Sequence, residues 1–152
     1  MSDSGYLELT QLIERLHRHF LDVLRTELQR LGYSDINAVQ ALLLFNIGRE
    51  EVVIRDLKDR GYYHGSNVSY NIKKLVENGF LVQERSAHDR RSVLVRLTDR
   101  GTDLCDHIGA LQDRISERFV GGEKEATDLE KATGLLKRLD RIWTDFIRYG
   151  EL

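Results

Sequence analysis

A mostly α-helical fold with one small β-hairpin follows from three features of this 152-residue sequence. Proline is absent, so nothing breaks a helix from within. Apolar residues recur at three- and four-residue spacing through most of the chain, the period of amphipathic helices. Between Phe80 and Leu97 the period changes to two, the alternation of a half-buried strand pair.

Taken in order, Leu9, Leu12, Ile13, Leu16, Phe20, Leu24, Leu28 and Leu31 form the stripe of a long helix over about 6–31, which Gly32 stops. Ser34 or Asp35 is the expected N-cap of the next helix. Its apolar run Ile36, Val39, Leu42, Leu43, Leu44, Phe45 and Ile47 is dense enough for burial on most sides, ending at Gly48. Val52 and Val53 suit a very short strand, and Ile54 to Arg60 a short third helix closed by Gly61. Ser66 is the expected cap of a fourth, with Val68, Ile72, Leu75 and Val76 inward and Ser66, Asn67, Tyr70, Lys73, Lys74 and Glu77 on the opposite face. Phe80–Arg85 and Ser92–Leu97 read as strands around a polar tip, Ser86 to Arg91. Thr98 caps a helix carrying Leu104, Ile108, Leu111, Ile115 and Phe119, which Gly121 and Gly122 break. A last helix over about 123–149 carries Leu129, Ala132, Leu135, Leu136, Leu139, Ile142, Trp143, Phe146 and Ile147.

Composition narrows the function classes. With 41% hydrophobic and 32% charged residues, six Tyr and five Phe, the chain has globular composition and the length of a single domain over 1–152, which excludes intrinsic disorder. One Cys excludes an internal disulfide scaffold, and charges throughout roughly the first 30 residues exclude an apolar signal core. No window approaches about 18 uninterrupted apolar residues, so a soluble cytoplasmic protein with no membrane partner is expected. Net charge is −2, but Arg55 to Arg100 holds ten basic against six acidic residues, while the rest holds 13 basic and 19 acidic. A basic centre between acidic ends suits a polyanion partner.

Catalytic and metal chemistry find little support. There is no Gly-rich phosphate loop, no G-x-S-x-G and no paired acid and base carboxylates, so no enzyme and no cofactor are expected. His17 and His19 lie about 200° apart on their helix and cannot share one ion, and His107 has no His or Cys four residues on. Cys105 lies between Leu104 and Asp106, where Asp103 and Asp106 disfavour a thiolate, and reads as a small packing residue.

Two short helices joined by a tight turn, then a two-stranded hairpin with a basic tip, is the order of a winged helix-turn-helix. A recognition helix buries one stripe and offers polar side chains from its first turns to base edges in the major groove. Asn67, Tyr70, Lys73 and Lys74 fit, as they equally fit a face that meets only water. The tip, with Arg90 and Arg91, has the shape and charge to reach a narrow minor groove, or to serve solubility alone.

From Asp89 to Gly101 the chain reads Asp-Arg-Arg-Ser-Val-Leu-Val-Arg-Leu-Thr-Asp-Arg-Gly and resembles the wing of MarR-type regulators: D-x-R, then V-x-L-T, then x-x-G. Asp89, Arg91, Val95, Leu97, Thr98 and Gly101 fall on its named positions. Ser66-Asn67-Val68-Ser69 through Leu75, and Gly79-Phe80-Leu81, are similar to that family's recognition helix and its exit into the wing. The resemblance covers essentially the whole chain and implies a MarR-like winged helix-turn-helix lobe over about 35–100, with the first and last helices forming a dimerisation region. It implies a homodimeric transcriptional regulator of double-stranded DNA, binding a pseudo-palindromic operator and released by a small anionic or aromatic effector; the alternative is a winged-helix module for protein–protein assembly that shares the fold without specific DNA binding. His17 or His19 is a candidate to line the effector crevice. The DNA-contacting set it implies is Ser66, Asn67, Ser69, Tyr70, Lys73, Lys74, Asp89, Arg90 and Arg91, with Arg91 in the minor groove, Asp89 holding it by an ion pair, and Arg90 on phosphate. Tyr70 stands where many relatives carry Arg, so base preference does not carry over. Peroxide-sensing relatives place a reactive Cys in the first helix, and this one has none there.

On this reading Arg91→Ala weakens binding to every DNA sequence and flattens the dependence of log affinity on log salt by about one phosphate-equivalent. A salt series of binding isotherms checks it, and unchanged affinity across the series contradicts it.

Overall fold

The computed structural model describes residues 4–48, 52–54, 56, 65–85, 87 and 92–152. Among them are five helices: α1 (Ser4–Leu31), α2 (Ala38–Ile47), α3 (Gly65–Glu77), α4 (Asp99–Phe119) and α5 (Glu123–Tyr149). Three strands, β1 (Val52–Val53), β2 (Leu81–Arg85) and β3 (Val93–Leu97), form an antiparallel sheet in the order β1-β3-β2. The short helix expected over 54–60 lies mostly outside the described residues, with helical backbone at Ile54 and Asp56. One compact unit ends within α4 at Gly109, and a second runs Ala110–Leu152.

The first unit has one core. Leu24 and Leu28 from α1, Ala41, Leu43, Leu44 and Ile47 from α2, Val68, Ile72 and Leu75 from α3, Val95 and Leu97 from β3, and Leu104 and Ile108 from α4 are all buried in it. Each of α1 to α4 contributes part of the stripe its periodicity marks, and that part is removed from water at about 25 cal/mol per Å² of apolar surface. Helix α2 buries six of its ten residues, in line with its unbroken apolar run. Cys105 is buried beside it, its Sγ 3.6 Å from the Leu44 carbonyl, which is the packing role expected of it.

Two caps differ from expectation. Helix α2 is capped by Asn37, not by Ser34 or Asp35: the Asn37 side chain accepts from the Gln40 N–H at 2.8 Å, and the Gln40 side chain accepts from the Asn37 N–H at 3.2 Å. This reciprocal pair satisfies two otherwise orphaned donors, which a lone Ser34 or Asp35 does not. Helix α3 begins at Gly65, so Ser66 lies inside its first turn and is not its cap. The strands also start one residue later than read, because Phe80 closes the α3 terminus and Ser92 lies outside the ladder.

Helix α3 ends where the sheet begins. The Phe80 N–H donates to the Leu75 carbonyl and the Gly79 N–H to that of Val76, a left-handed helix terminus that Gly79 makes with φ +80°. From there β2 runs antiparallel to β3, pairing Leu81 with Leu97 through Arg85 with Val93, while β1 pairs Val52 with Val95. The chain leaves β3 past the same point: Thr98 donates from its N–H to the Phe80 carbonyl at 3.1 Å and from its hydroxyl to the Gly79 carbonyl at 2.6 Å. Thr98 Oγ1 also accepts from the Gly101 N–H, capping α4 as expected. A Cβ at position 101 would stand 2.2 Å from the Phe80 carbonyl oxygen, so only glycine fits there.

Arg100 locks this junction. Its guanidinium donates to both Asp35 carboxylate oxygens, at 2.8 and 3.0 Å, and to the Asn78 carbonyl at 2.6 Å, while lying 4.1 Å from the Phe80 ring centroid. Asn78 returns a hydrogen bond from Nδ2 to the Asp35 carbonyl at 2.9 Å. The bond from Arg100 holds the Asp35 carboxyl below the usual carboxylate range.

A carboxyl whose pKa is lowered by folding stabilises above its unfolded value and loses that contribution as pH falls through the folded value. Asp35→Asn is therefore expected to lower the urea midpoint near pH 7 modestly, the pair being partly exposed, with the gap from wild type closing below about pH 4. Urea titrations across the acid range check this, and a gap independent of pH contradicts it.

Candidate nucleic-acid interface

Helix α3 has two faces with opposite chemistry. Val68, Ile72 and Leu75 are buried, and they hold the helix to α2 and the sheet. On the other side Asn67, Ser69, Tyr70 and Lys73 are exposed, Tyr70 to 60%. These are an amide, a hydroxyl, a phenol and an ammonium, together able to donate and accept along a base edge or to a phosphate. The Lys74 ammonium lies 5.8 Å from the centroid of the Tyr70 ring and 3.5 Å from the Glu77 carboxylate. The ring and carboxylate place that cation toward the C-terminal half of the face, one helical turn from Tyr70 and next to Lys73.

The hairpin stands beside this helix in sequence and shares its junction. Its described part is paired as far as Arg85 and Val93. Arg96 donates to Glu84 at 3.1 Å across the ladder, bracing the two strands on their exposed side. Arg85 and Arg96 are both exposed. Asp89, Arg90 and Arg91, expected at the tip, lie outside the described residues, as does the Ser66 side chain. The structure thus leaves Asn67, Ser69, Tyr70 and Lys73 exposed on α3, with Lys74 half-buried beside Tyr70 and Asn67 and Ser69 on opposite borders of the exposed side.

Sequence reading missed what sets the angle of that face. The Arg100 bridge to Asp35 spans 65 residues and has no local signal. The bond from Gln40 Nε2 to Asn71 Oδ1, 3.3 Å long and buried between α2 and α3, has none either. The α2 cap was detectable, because Asn37 followed three residues later by Gln40 has capping-box spacing.

Residues 36–101 match the family model described as a winged helix DNA-binding domain. That span runs from the α2 cap to the glycine of the Thr98 turn, so it contains α2, α3, the sheet and most of their junction. A relative from Rhizobium meliloti (strain 1021), the exopolysaccharide II synthesis transcriptional activator ExpG, is 37% identical over 145 residues, covering 95% of this chain and 75% of the relative. Among solved structures, Streptococcus pneumoniae FabT in complex with DNA is similar with TM-score 0.78 at 20% identity, over 90% of this chain and 99% of that one. A mutant E. coli MarR complexed with operator DNA is similar with TM-score 0.67 at 26% identity, over 91% and 99% respectively.

Proposed function

We propose that this chain, which belongs to the MarR family of winged helix-turn-helix transcriptional regulators, reads a pseudo-palindromic operator as a homodimer, with α3 in the major groove. It is a DNA-binding regulator, and it acts by occupying DNA, not by catalysis. One observation carries the reading: α3 buries Val68, Ile72 and Leu75 and leaves Asn67, Ser69, Tyr70 and Lys73 exposed to solvent. The contacting set is Ser66, Asn67, Ser69, Tyr70, Lys73 and Lys74 from α3, and Asp89, Arg90 and Arg91 from the wing. Helix residues select bases, while Arg91 enters the adjacent minor groove and the lysines and Arg90 meet phosphate.

The two ends of the chain support the dimer. On α1, Tyr6, Leu7, Leu12 and Leu16 are exposed. Helix α5 buries none of its residues, and Leu135, Ile142, Phe146 and Ile147 are exposed, the last to 80%. Apolar stripes of this length are costly in water, and a second copy covers them with the same surface under two-fold symmetry. Two copies place two α3 helices about 34 Å apart, one turn of B-DNA, and join two weak half-site contacts into one strong one. A small anionic or aromatic effector releases the dimer by binding better to a spacing of the two lobes that DNA does not accept. No helix among the described residues is long and apolar enough to cross a membrane, which suits a regulator at work on cytoplasmic DNA.

In vitro selection from random duplexes of about 30 base pairs, at near-physiological salt, tests the reading. Enrichment of an inverted repeat with half-sites about one helical turn apart is expected. No enrichment by a folded, dimeric protein overturns it.

A further inference from the structure

Beneath the exposed face of α3 lies a polar pair that the core does not need. Gln40 and Asn71 are 7% and 9% exposed, and the Gln40 amide donates from Nε2 to Asn71 Oδ1 at 3.3 Å. Their neighbours on the two helices, Ala41, Leu44, Val68, Ile72 and Leu75, are buried and apolar. A neutral hydrogen bond in such an interface adds little net stability over a well-packed apolar pair, while either partner left alone is costly. The pair therefore contributes direction more than strength. An apolar interface tolerates small rotations of one helix on the other, whereas a hydrogen bond restricts them.

The Gln40 amide is held from its other end as well. Its Oε1 accepts from the Asn37 N–H in the α2 cap, which turns Nε2 toward Asn71. The carboxamide of one residue thus links the first turn of α2 to the middle of α3. At about 100° per residue, Asn71 lies about 40° around α3 from Asn67 and about 60° from Lys74, at the border of the buried stripe and the outward face. Restraint applied there fixes the rotation of α3 about its own axis. A rotation of about 15° moves a side-chain tip about 6 Å from that axis by about 1.5 Å, well beyond the roughly 0.5 Å that a paired base contact tolerates.

We propose that Gln40 and Asn71 are positioning residues for sequence discrimination: their hydrogen bond sets the rotation of α3, so that they determine which bases are read without touching DNA. Contacts to phosphate tolerate such a rotation better, since long lysine side chains follow a diffuse negative charge. The inference rests on the DNA-binding reading above, and that reading is checked first, by whether the wild-type protein enriches any duplex at all.

The experiment compares wild type, Asn71→Leu, Gln40→Leu and the double variant. The probes are the duplex that wild type enriches and an unrelated duplex of equal length, at one salt concentration, with thermal unfolding of each protein alongside. The double variant replaces both polar partners together and leaves neither unpaired, so it is expected to fold with a midpoint at or above that of wild type. All three variants are expected to lose about tenfold or more in affinity for the enriched duplex and less than about twofold for the unrelated one. The loss in the double variant is expected to be no larger than in the single ones, because one bond is removed in each. An unchanged ratio between the two duplexes, or a parallel loss on both, overturns the proposal. Failure of wild type to enrich any duplex overturns the DNA-binding reading and this inference with it.

Discussion

The guanidinium of Arg100 stands where three segments meet, and the placement of α3 and the hairpin depends on what it holds together. Asp35 belongs to the connection into α2, Asn78 to the end of α3, and Phe80 to the turn into β2. Arg100 itself opens α4. An ion pair this exposed contributes at most about 1 kcal/mol by charge alone. A bidentate fork on Asp35, a backbone carbonyl and an aromatic face are instead four directional constraints on one rigid plane. Thr98 adds two bonds to the same turn, and Gly101 lets the backbone of α4 approach the Phe80 carbonyl. Helix α3 and the hairpin thus leave one shared knot.

A division of labour follows. Stability in the first unit comes from an apolar core shared by four helices and the sheet, in which Phe80, Leu43, Leu44 and Val68 are fully buried. Orientation comes from a few polar contacts laid across it: Asn37 with Gln40 at the α2 cap, Gln40 with Asn71 between α2 and α3, and Arg100 with Asp35 at the junction. Apolar contacts are strong and non-directional, and hydrogen bonds are weak and directional. The proposed presentation of α3 side chains to base edges needs both, and it is why the polar residues under α3 enter that proposal beside those on it.

Most of the fold was legible because each helix carries its apolar residues in a single stripe, and a stripe such as Val68, Ile72 and Leu75 leaves its period in the sequence whether it is buried or, as on α5, exposed. The change to a period of two marked the hairpin for the same reason. Helix ends were less legible, since Ser34, Asp35 and Asn37 all carry a capping oxygen and the choice turned on Gln40 three residues on. Asp35 had another partner, 65 residues away, and no local pattern encodes such a meeting. The pairing of Val52 with Val95 is equally silent, two residues being too few to show alternation. In the candidate site the exposed face of α3 was legible as the complement of the buried stripe. Asn71 was not, because a buried amide and an exposed one look alike in sequence until the partner helix is placed.

The central claim is that one chain supplies one reading lobe, that two copies place two α3 helices a turn of DNA apart, and that each wing enters the minor groove beside its helix. Hydroxyl-radical footprinting on a duplex bound by the protein tests this most directly, since cleavage reports access along the minor groove. The account predicts protected tracts in two sets related by a dyad and separated by about one helical turn. A single unbroken tract, or protection with no dyad, would contradict it.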